Sequence, residues 1–448
     1  MPLSDLHVIV GLGITGFSCA RYLRECGIPF AVNDTRETPP QLAEFRKLFP
    51  DVQISTGKLD EALLARAATI VLSPGIALYE PLIAKQAARG IPVIGDIELF
   101  ARAVKAPVIA ITGTNAKSTV TTLVGMMAAA AGYDVQTGGN LGIPALDLLL
   151  NHPQANLFVL ELSSFQLETT DSLKARVATV LNITPDHMDR YKTLADYAQA
   201  KNRIYKNCHI AVCNRDDPLT ECHESSAVKK IYFTLNAPAT GEFGLLRRNN
   251  TVYLAHGENA LLAVSELPVA GKHYQANALA ALAIGHGAGF SFASMLDVLR
   301  EFRGLPHRCQ LVRERNSVKW YNDSKGTNVG ATQAAIEGLG SEISGKLILI
   351  MGGVGKNADF SQLAPVLGKY ARHVVLIGEA AKDIAGALGT EVPFSFASDM
   401  NDAIEQAANY AHPSDSVLLS PACASFDMFR NYEHRGDVFT DSVEKLTD

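Results

Sequence analysis

Lysine and arginine, 40 together, do not outnumber the 46 aspartates and glutamates, and the net charge is −6. The chain therefore lacks the basic footprint of a nucleic-acid binder, and no nucleic-acid partner is expected. Any anionic ligand must be held by local groups and not by the global field. Cysteine is scarce, seven residues with no C-x-x-C pair, which argues against a disulfide framework or zinc ribbon and predicts reduced thiols. Long apolar runs are missing too. Apolar stretches such as Leu347 to Met351 and Gly125 to Ala131 fall far short of the roughly 20 residues of a membrane span. Met1 to Asp5 offers no basic n-region, so neither a signal peptide nor a membrane partner is expected, and the protein reads as cytoplasmic. Charged residues make up 19% against 47% hydrophobic, which excludes disorder as the dominant state. No fixed period of 20 to 50 residues recurs, so a solenoid is excluded as well.

What is present is a chain of 448 residues, enough for two or three domains of about 150 residues. Short β-branched runs alternate with helical patterns from end to end, predicting α/β layers with mostly parallel sheets. His7–Val10 reads as a strand, Gly16–Cys26 as a helix, Ile28–Val32 and Thr69–Leu72 as strands, and Asp96–Val104 as a charged helix before Pro107. A second series begins with the strand Val108–Ile111 and an alanine-rich helix from Ser118 to Ala131, with strands at Leu157–Leu160 and Ala178–Leu181. Residues 210–270 look β-rich and irregular, and helices over Tyr274–Ala288 and Ser291–Glu301 follow. The turn Gly304-Leu305-Pro306 precedes a third series of strands: Val318–Tyr321, Leu347–Met351, Val374–Ile377 and Ser416–Leu419. The expectation is three α/β domains: residues 1–96, Rossmann-like; 97–304, a P-loop ATPase-like parallel sheet; and 305–448, again Rossmann-like.

Four motifs carry chemistry. Gly11-Leu12-Gly13-Ile14-Thr15-Gly16 is a G-x-G-x-x-G between a strand and a helix, and Asp34 ends the next strand about 20 residues on. Such glycines let backbone approach a diphosphate at a helix N-terminus. The motif leaves open whether that diphosphate belongs to a dinucleotide or to a UDP-sugar. Thr112-Gly113-Thr114-Asn115-Ala116-Lys117-Ser118-Thr119 has the setting of a P-loop, with Lys117 for the β/γ oxygens and Ser118 or Thr119 for Mg²⁺. It breaks the strict pattern twice, at Ile111 and Ala116. Glu161-Leu162-Ser163-Ser164-Phe165-Gln166 puts a carboxylate at a strand's C-terminal end, where a Mg²⁺ ligand belongs in open α/β sheets. Asn182-Ile183-Thr184-Pro185-Asp186-His187 offers Asp186 and His187 after another strand. Taken alone, Lys201 reads as an exposed helical lysine.

In this order the motifs resemble the ATP-dependent Mur ligases of peptidoglycan precursor synthesis, over essentially the whole chain. Asn322-Asp323-Ser324-Lys325-Gly326-Thr327-Asn328 and Ser420-Pro421-Ala422-Cys423-Ala424-Ser425-Phe426-Asp427 narrow the likeness to the member that adds D-glutamate to UDP-N-acetylmuramoyl-L-alanine. The resemblance implies ATP and two Mg²⁺ ions: ATP phosphorylates the substrate carboxylate, and the D-glutamate amine then displaces phosphate. It implies Gly113, Thr114, Asn115, Ala116, Lys117, Ser118 and Thr119 around the ATP phosphates, with Ser118 and Glu161 on one Mg²⁺ and His187 on the second. Lys201 would be carbamylated and act as a metal ligand. Asn277 and Arg308 would contact the nucleotide, and Asp323 its ribose. Leu12, Thr15, Asp34, Thr35, Arg36, Ser73 and Gly75 would form the UDP pocket, with Asn140 and Gln166 on the MurNAc-L-alanine arm. Lys325, Thr327, Lys356, Ser425 and Tyr432 would receive D-glutamate, and the enzyme is expected to work as a monomer. Ala116 stands in place of the family's usual glycine, Tyr274 in place of a frequent asparagine, and Tyr432 in place of a phenylalanine. The rival readings are another Mur ligase, a folylpolyglutamate synthetase-like ligase, an NAD-dependent dehydrogenase, and a non-catalytic anion-binding protein.

Overall fold

The computed structural model describes residues 5–224, 228–269, 271–341 and 343–446. Among the described residues there are three sheets. The first runs β3-β2-β1-β4-β5 from β1 (His7–Val10), β2 (Phe30–Asn33), β3 (Ile54–Ser55), β4 (Thr69–Leu72) and β5 (Val93–Ile94), all parallel. Its central strands are apolar on both faces, as a parallel sheet covered by helices requires. The second sheet has the order β14-β13-β12-β11-β10-β9-β6-β8-β7. Its strands are β6 (Val108–Thr112), β7 (Val135–Gly139), β8 (Leu157–Glu161), β9 (Val177–Val180), β10 (Ile210–Asn214), β11 (Lys229–Phe233), β12 (Phe243–Arg248), β13 (Thr251–His256) and β14 (Asn259–Ala263). Pairing is parallel from β7 through β12, and β12, β13 and β14 then form an antiparallel meander, which resolves the irregular β-rich stretch of the sequence.

These two sheets lie in one compact unit, residues 1–183, 195–264 and 277–300. The second unit, residues 184–194, 265–276 and 301–448, holds the third sheet. That sheet is β15 (Gln310–Arg315), β16 (Val318–Asn322), β17 (Leu347–Gly352), β18 (Ala371–Ile377), β19 (Phe394–Phe396) and β20 (Ser416–Leu419), in the order β15-β16-β20-β17-β18-β19. Only the β15–β16 hairpin is antiparallel. One face packs Leu347, Leu349, Met351, Val374 and Leu376 with Ile336 and Leu367; the other packs Ile348, Ile350, Val375 and Val417 with Trp320 and Phe439. Among the described residues no helix is long and apolar enough to cross a membrane.

Predicted elements recur with ends moved by at most three residues, and His7–Val10, Thr69–Leu72 and Ser416–Leu419 recur unchanged. The second strand starts at Phe30 and not Ile28, because the Ile28 N–H already answers the Leu23 carbonyl at the end of the first helix.

One aromatic cluster in the first unit has a pH consequence. His286 stacks on Phe292 and lies 4.9 Å, centroid to centroid, from His256, which itself stacks on Phe243. Burial first, then the His256 and Lys229 charges, hold the His286 pKa below its usual value. The folded state therefore binds its proton less readily than the unfolded state, so this stability is complete above about pH 6.5 and is lost as pH falls through the folded pKa. Thermal unfolding should give a midpoint that drops between pH 7 and pH 5, and His286→Phe should reduce that drop.

Candidate functional site

Each parallel sheet offers its ligand crevice at the strand C-termini, where strand order reverses. In the first sheet this lies between β1 and β4. Gly11 has φ +98°, and a Cβ on Gly16 would sit 1.9 Å from the Gly11 carbonyl, so both glycines are needed for the turn and the close helix approach. Ser73 Oγ donates to the Gly11 carbonyl at 2.8 Å, joining the loops after β1 and β4. A cavity of about 540 Å³ opens there and brings together Thr15, Asp34, Thr35, Arg36, Ser73 and Gly75, with Asn140 and Gln166 from the second sheet's loops.

Leu12 stands apart from that group: its side chain is fully buried and outside the cavity lining, and its N–H donates to Asp34 Oδ2 at 2.6 Å. Asp34 also accepts from Arg36, Nη2 at 2.7 Å and Nε at 2.9 Å. Burial alone would raise the Asp34 pKa, but the Arg36 and Leu12 hydrogen bonds and the Arg36 charge hold it below the usual carboxylate value. Asp34 thus anchors the loop and Arg36 as well as facing the cavity.

The second sheet reverses around β6. Its phosphate-type loop opens the helix Lys117–Ala130, and Asn182 splints it: the Thr114 N–H donates to the Asn182 carbonyl at 2.9 Å, the Asn115 N–H to Asn182 Oδ1 at 2.8 Å. Lys117 Nζ folds back onto the Gly113 and Thr114 carbonyls at 3.0 and 2.9 Å. Ser118 and Thr119, in the first turn, are buried. Ala116 caps that helix in the left-handed region, φ 66° and ψ −4°. This conformation suits glycine and costs an L-residue roughly 1–2 kcal/mol. Ala116→Gly should therefore stabilise the protein slightly, by about 0.5 kcal/mol once the freer unfolded chain is set against the relief. Denaturant unfolding measures this.

Glu161, at the end of β8, is buried; Oε1 accepts from Asn140 Nδ2 at 2.7 Å, while Oε2 has no hydrogen-bond partner among the described residues. Asn140 thus both lines the cavity and holds Glu161, which pairs with Ile111 on β6, the strand that leads into the phosphate-type loop. Lys201 is not the exposed lysine that its helix suggested. It is 2% exposed, with Nζ 2.8 Å from the Gly113 carbonyl, 3.5 Å from Thr112 Oγ1 and 4.6 Å from the centre of the Tyr197 ring.

In the second unit, Asp323 follows β16 and accepts from Ser420 Oγ at 2.7 Å and the Cys309 N–H at 3.2 Å. Burial pushes its pKa up to about 6, against the Ser420 bond and the Arg308 charge. Lys325 Nζ lies 3.6 Å over the Tyr432 ring. Lys356, at φ 50°, reaches Asp186 Oδ1 at 3.6 Å, and Asn328 Nδ2 is 3.5 Å from Asp186 Oδ2. His187, at φ 56°, and Ala422, at φ 59°, are further left-handed residues on these loops. Such strain gathers at functional loops.

Arg435, which no motif pointed out, is 1% exposed and donates to Ser324 Oγ, the Ser324 carbonyl and the Cys423 carbonyl at 3.0, 2.8 and 3.1 Å. It joins the loop carrying Lys325 and Thr327 to the loop carrying Ser425. Asn277 is half-buried in the helix Lys272–Ala288. In that helix Tyr274 is buried against Phe302, and its hydroxyl has no partner among the described residues.

Three open α/β sheets, one with a phosphate-type loop and another with a diphosphate-type turn, define a nucleotide-handling enzyme. The chain belongs to the Mur ligase family. The Mur ligase middle domain matches residues 111–285, the MurD-like N-terminal domain residues 5–95, and the Mur ligase glutamate ligase domain residues 307–423. It is 56% identical to the UDP-N-acetylmuramoylalanine--D-glutamate ligase of Pseudomonas syringae pv. tomato, over 98% of both chains. It is 52% identical to the enzyme of that name from Coxiella burnetii, over 100% of both. Among solved structures, a pseudomurein peptide ligase type C from Methanothermus fervidus shares the fold (TM-score 0.63, 17% identity, 99% of this chain and 100% of that one). UDP-N-acetylmuramate-alanine ligase from Thermotoga maritima does likewise (TM-score 0.61, 18% identity, 98% and 99%).

Proposed function

We propose that the protein is the ATP-dependent ligase that joins D-glutamate to UDP-N-acetylmuramoyl-L-alanine in peptidoglycan precursor synthesis. A carboxylate oxygen of the UDP-substrate attacks the γ-phosphorus and ADP leaves. The D-glutamate nitrogen then attacks the acyl carbon, and the amide forms as phosphate departs and the amine loses its proton. A carboxylate is a poor electrophile, and phosphorylation supplies the leaving group. The protein's part is to position the reactants and to offset clustered negative charge.

The observation that carries this reading is that Asn140, on the cavity wall, holds Glu161, whose strand end pairs with β6 directly before the phosphate-type loop. Residues 1–96 hold the UDP-substrate through Thr15, Asp34, Thr35, Arg36, Ser73, Gly75 and the Leu12 N–H, and Asn140 and Gln166 meet its MurNAc-L-alanine arm. Residues 97–304 hold ATP, with the Gly113 to Thr119 loop around the phosphates and Asn277 on the nucleotide. Residues 305–448 add Arg308 and Asp323 to the nucleotide and receive D-glutamate with Lys325, Thr327, Lys356, Ser425 and Tyr432.

The buried Glu161 Oε2 without a hydrogen-bond partner among the described residues, at a strand end paired with Ile111, fits a hard cation. Among the described residues no three His, Cys, Asp or Glu side chains form a metal cage. Ser118 and Glu161 would hold a Mg²⁺ ion, which would neutralise charge on the nucleotide. His187 and a carbamylated Lys201 are assigned to a second ion. We assign a monomer working in the cytoplasm, where ATP is supplied. The test is phosphate release by purified protein with ATP and Mg²⁺. Turnover should require both UDP-N-acetylmuramoyl-L-alanine and D-glutamate, and equal turnover with L-alanine or meso-diaminopimelate in place of D-glutamate would overturn the assignment.

A further inference from the structure

Two buried carboxylates stand in the first turn of the helix Asp96–Ala103, and the fold accounts for only one of them. Glu98 is saturated: it accepts from the Asp171 and Ser172 N–H groups at 2.8 and 2.9 Å, from Ser172 Oγ at 2.9 Å and from Arg102 Nε at 2.8 Å. It pins the chain just beyond the short helix Ser164–Glu168. Asp96, 2% exposed, accepts from Gln166 Nε2 at 2.9 Å through Oδ2, while Oδ1 has no partner among the described residues. A buried carboxylate with an unanswered oxygen is a liability to stability, and an apolar residue would serve packing better.

What Asp96 does do is fix an amide. A glutamine side chain can present its oxygen or its NH₂ to a given side, and its neighbours decide which. Here Gln166 Oε1 accepts from the Ser163 N–H at 3.1 Å and Ser163 Oγ at 3.3 Å, while the acceptor-only Asp96 takes one Nε2 hydrogen. Flipping the amide would set oxygen against carboxylate. One Nε2 hydrogen remains, on a side chain that lines the 540 Å³ cavity. We infer that Asp96 is a positioning residue for the UDP-substrate: through Gln166 it keeps a hydrogen-bond donor turned to the cavity, matched to an acceptor oxygen such as a substrate amide carbonyl. This rests on reading that cavity as the UDP-substrate site.

Steady-state kinetics of the full-length enzyme test it. Asp96→Ala should raise KM for the UDP-substrate about tenfold, the worth of one ordinary hydrogen bond, with KM for ATP within twofold. In a Gln166→Ala background it should add nothing, and Asp96→Asn, which keeps an acceptor oxygen, should restore most of the affinity. If Asp96→Ala does not fold, the exchange Asp96→Asn with Gln166→Glu decides. It rebuilds the hydrogen bond with its direction reversed, so the thermal midpoint should return while KM stays raised; a KM that returns with it overturns the inference. A UDP-substrate KM unmoved by Asp96→Ala, or multiplicative effects of the two alanine substitutions, also overturns it while the cavity reading stands. A KM unmoved by Gln166→Ala overturns the cavity reading, and the inference with it.

Discussion

Lys201→Ala should lower kcat by about two to three orders of magnitude, the scale of removing a group that stabilises developing charge, while UDP-substrate binding stays intact. As an amine, Lys201 would be poorly placed. Its Nζ and that of Lys117 approach the same Gly113 carbonyl, at 2.8 and 3.0 Å, and Lys201 is 2% exposed. Two ammonium groups a few ångströms apart repel by roughly several kcal/mol at intermediate dielectric, and a metal ion would add to that. Reaction of the neutral amine with CO₂ forms an N–C bond and releases a proton, turning the cation into an anionic oxygen donor of the kind Mg²⁺ prefers. Lys201→Arg should be no more active than Lys201→Ala, because the positive charge stays. Lys201→Glu should recover a little, since it restores an anion with shorter reach. A carbamate carbon signal in ¹³C spectra of enzyme equilibrated with labelled bicarbonate, absent in Lys201→Arg, checks the modification directly. Full activity in Lys201→Arg would sink it.

Lys201 also marks where sequence reading ends. Its burial depends on the helix Leu194–Asn202 meeting the end of β6, a contact across some 90 residues that no local pattern records. The parallel sheets were legible because apolar runs such as Leu347–Gly352 and Val108–Thr112 are too short for helices and are each followed by glycine. The phosphate-type loop was legible as strand, turn and helix despite Ala116, and its left-handed φ explains why glycine is the easier residue there. Other parts were hidden for a common reason. Asn182 as the splint of Thr114 and Asn115, Asp96 as the partner of Gln166, and Arg435 as the clamp on Ser324 all act on distant residues. Each answers a partner at least 67 positions away, Asn115 for Asn182, Gln166 for Asp96 and Ser324 for Arg435, and residue type alone gives no sign of it.

Lys325→Ala should cut kcat/KM for D-glutamate about ten- to a hundredfold and leave KM for the UDP-substrate nearly unchanged. D-glutamate brings two carboxylates, and a charge-assisted hydrogen bond to a partly desolvated carboxylate is typically worth about 1.5–3 kcal/mol. Lys325 follows the buried Asp323-Ser324 pair, whose backbone Arg435 fixes through the Ser324 carbonyl at 2.8 Å, so the cation extends from a rigid base. Its Nζ sits 3.6 Å from the centre of the Tyr432 ring, whose quadrupole attracts the cation there. Tyr432→Phe keeps that ring and removes only the hydroxyl, so it should change D-glutamate use by no more than about twofold, whereas Tyr432→Ala should fall most of the way to Lys325→Ala. Steady-state kinetics with each substrate varied in turn would separate these outcomes. Equal weakening toward both substrates in Lys325→Ala would mean that Lys325 supports the fold of its loop and does not hold the amino acid.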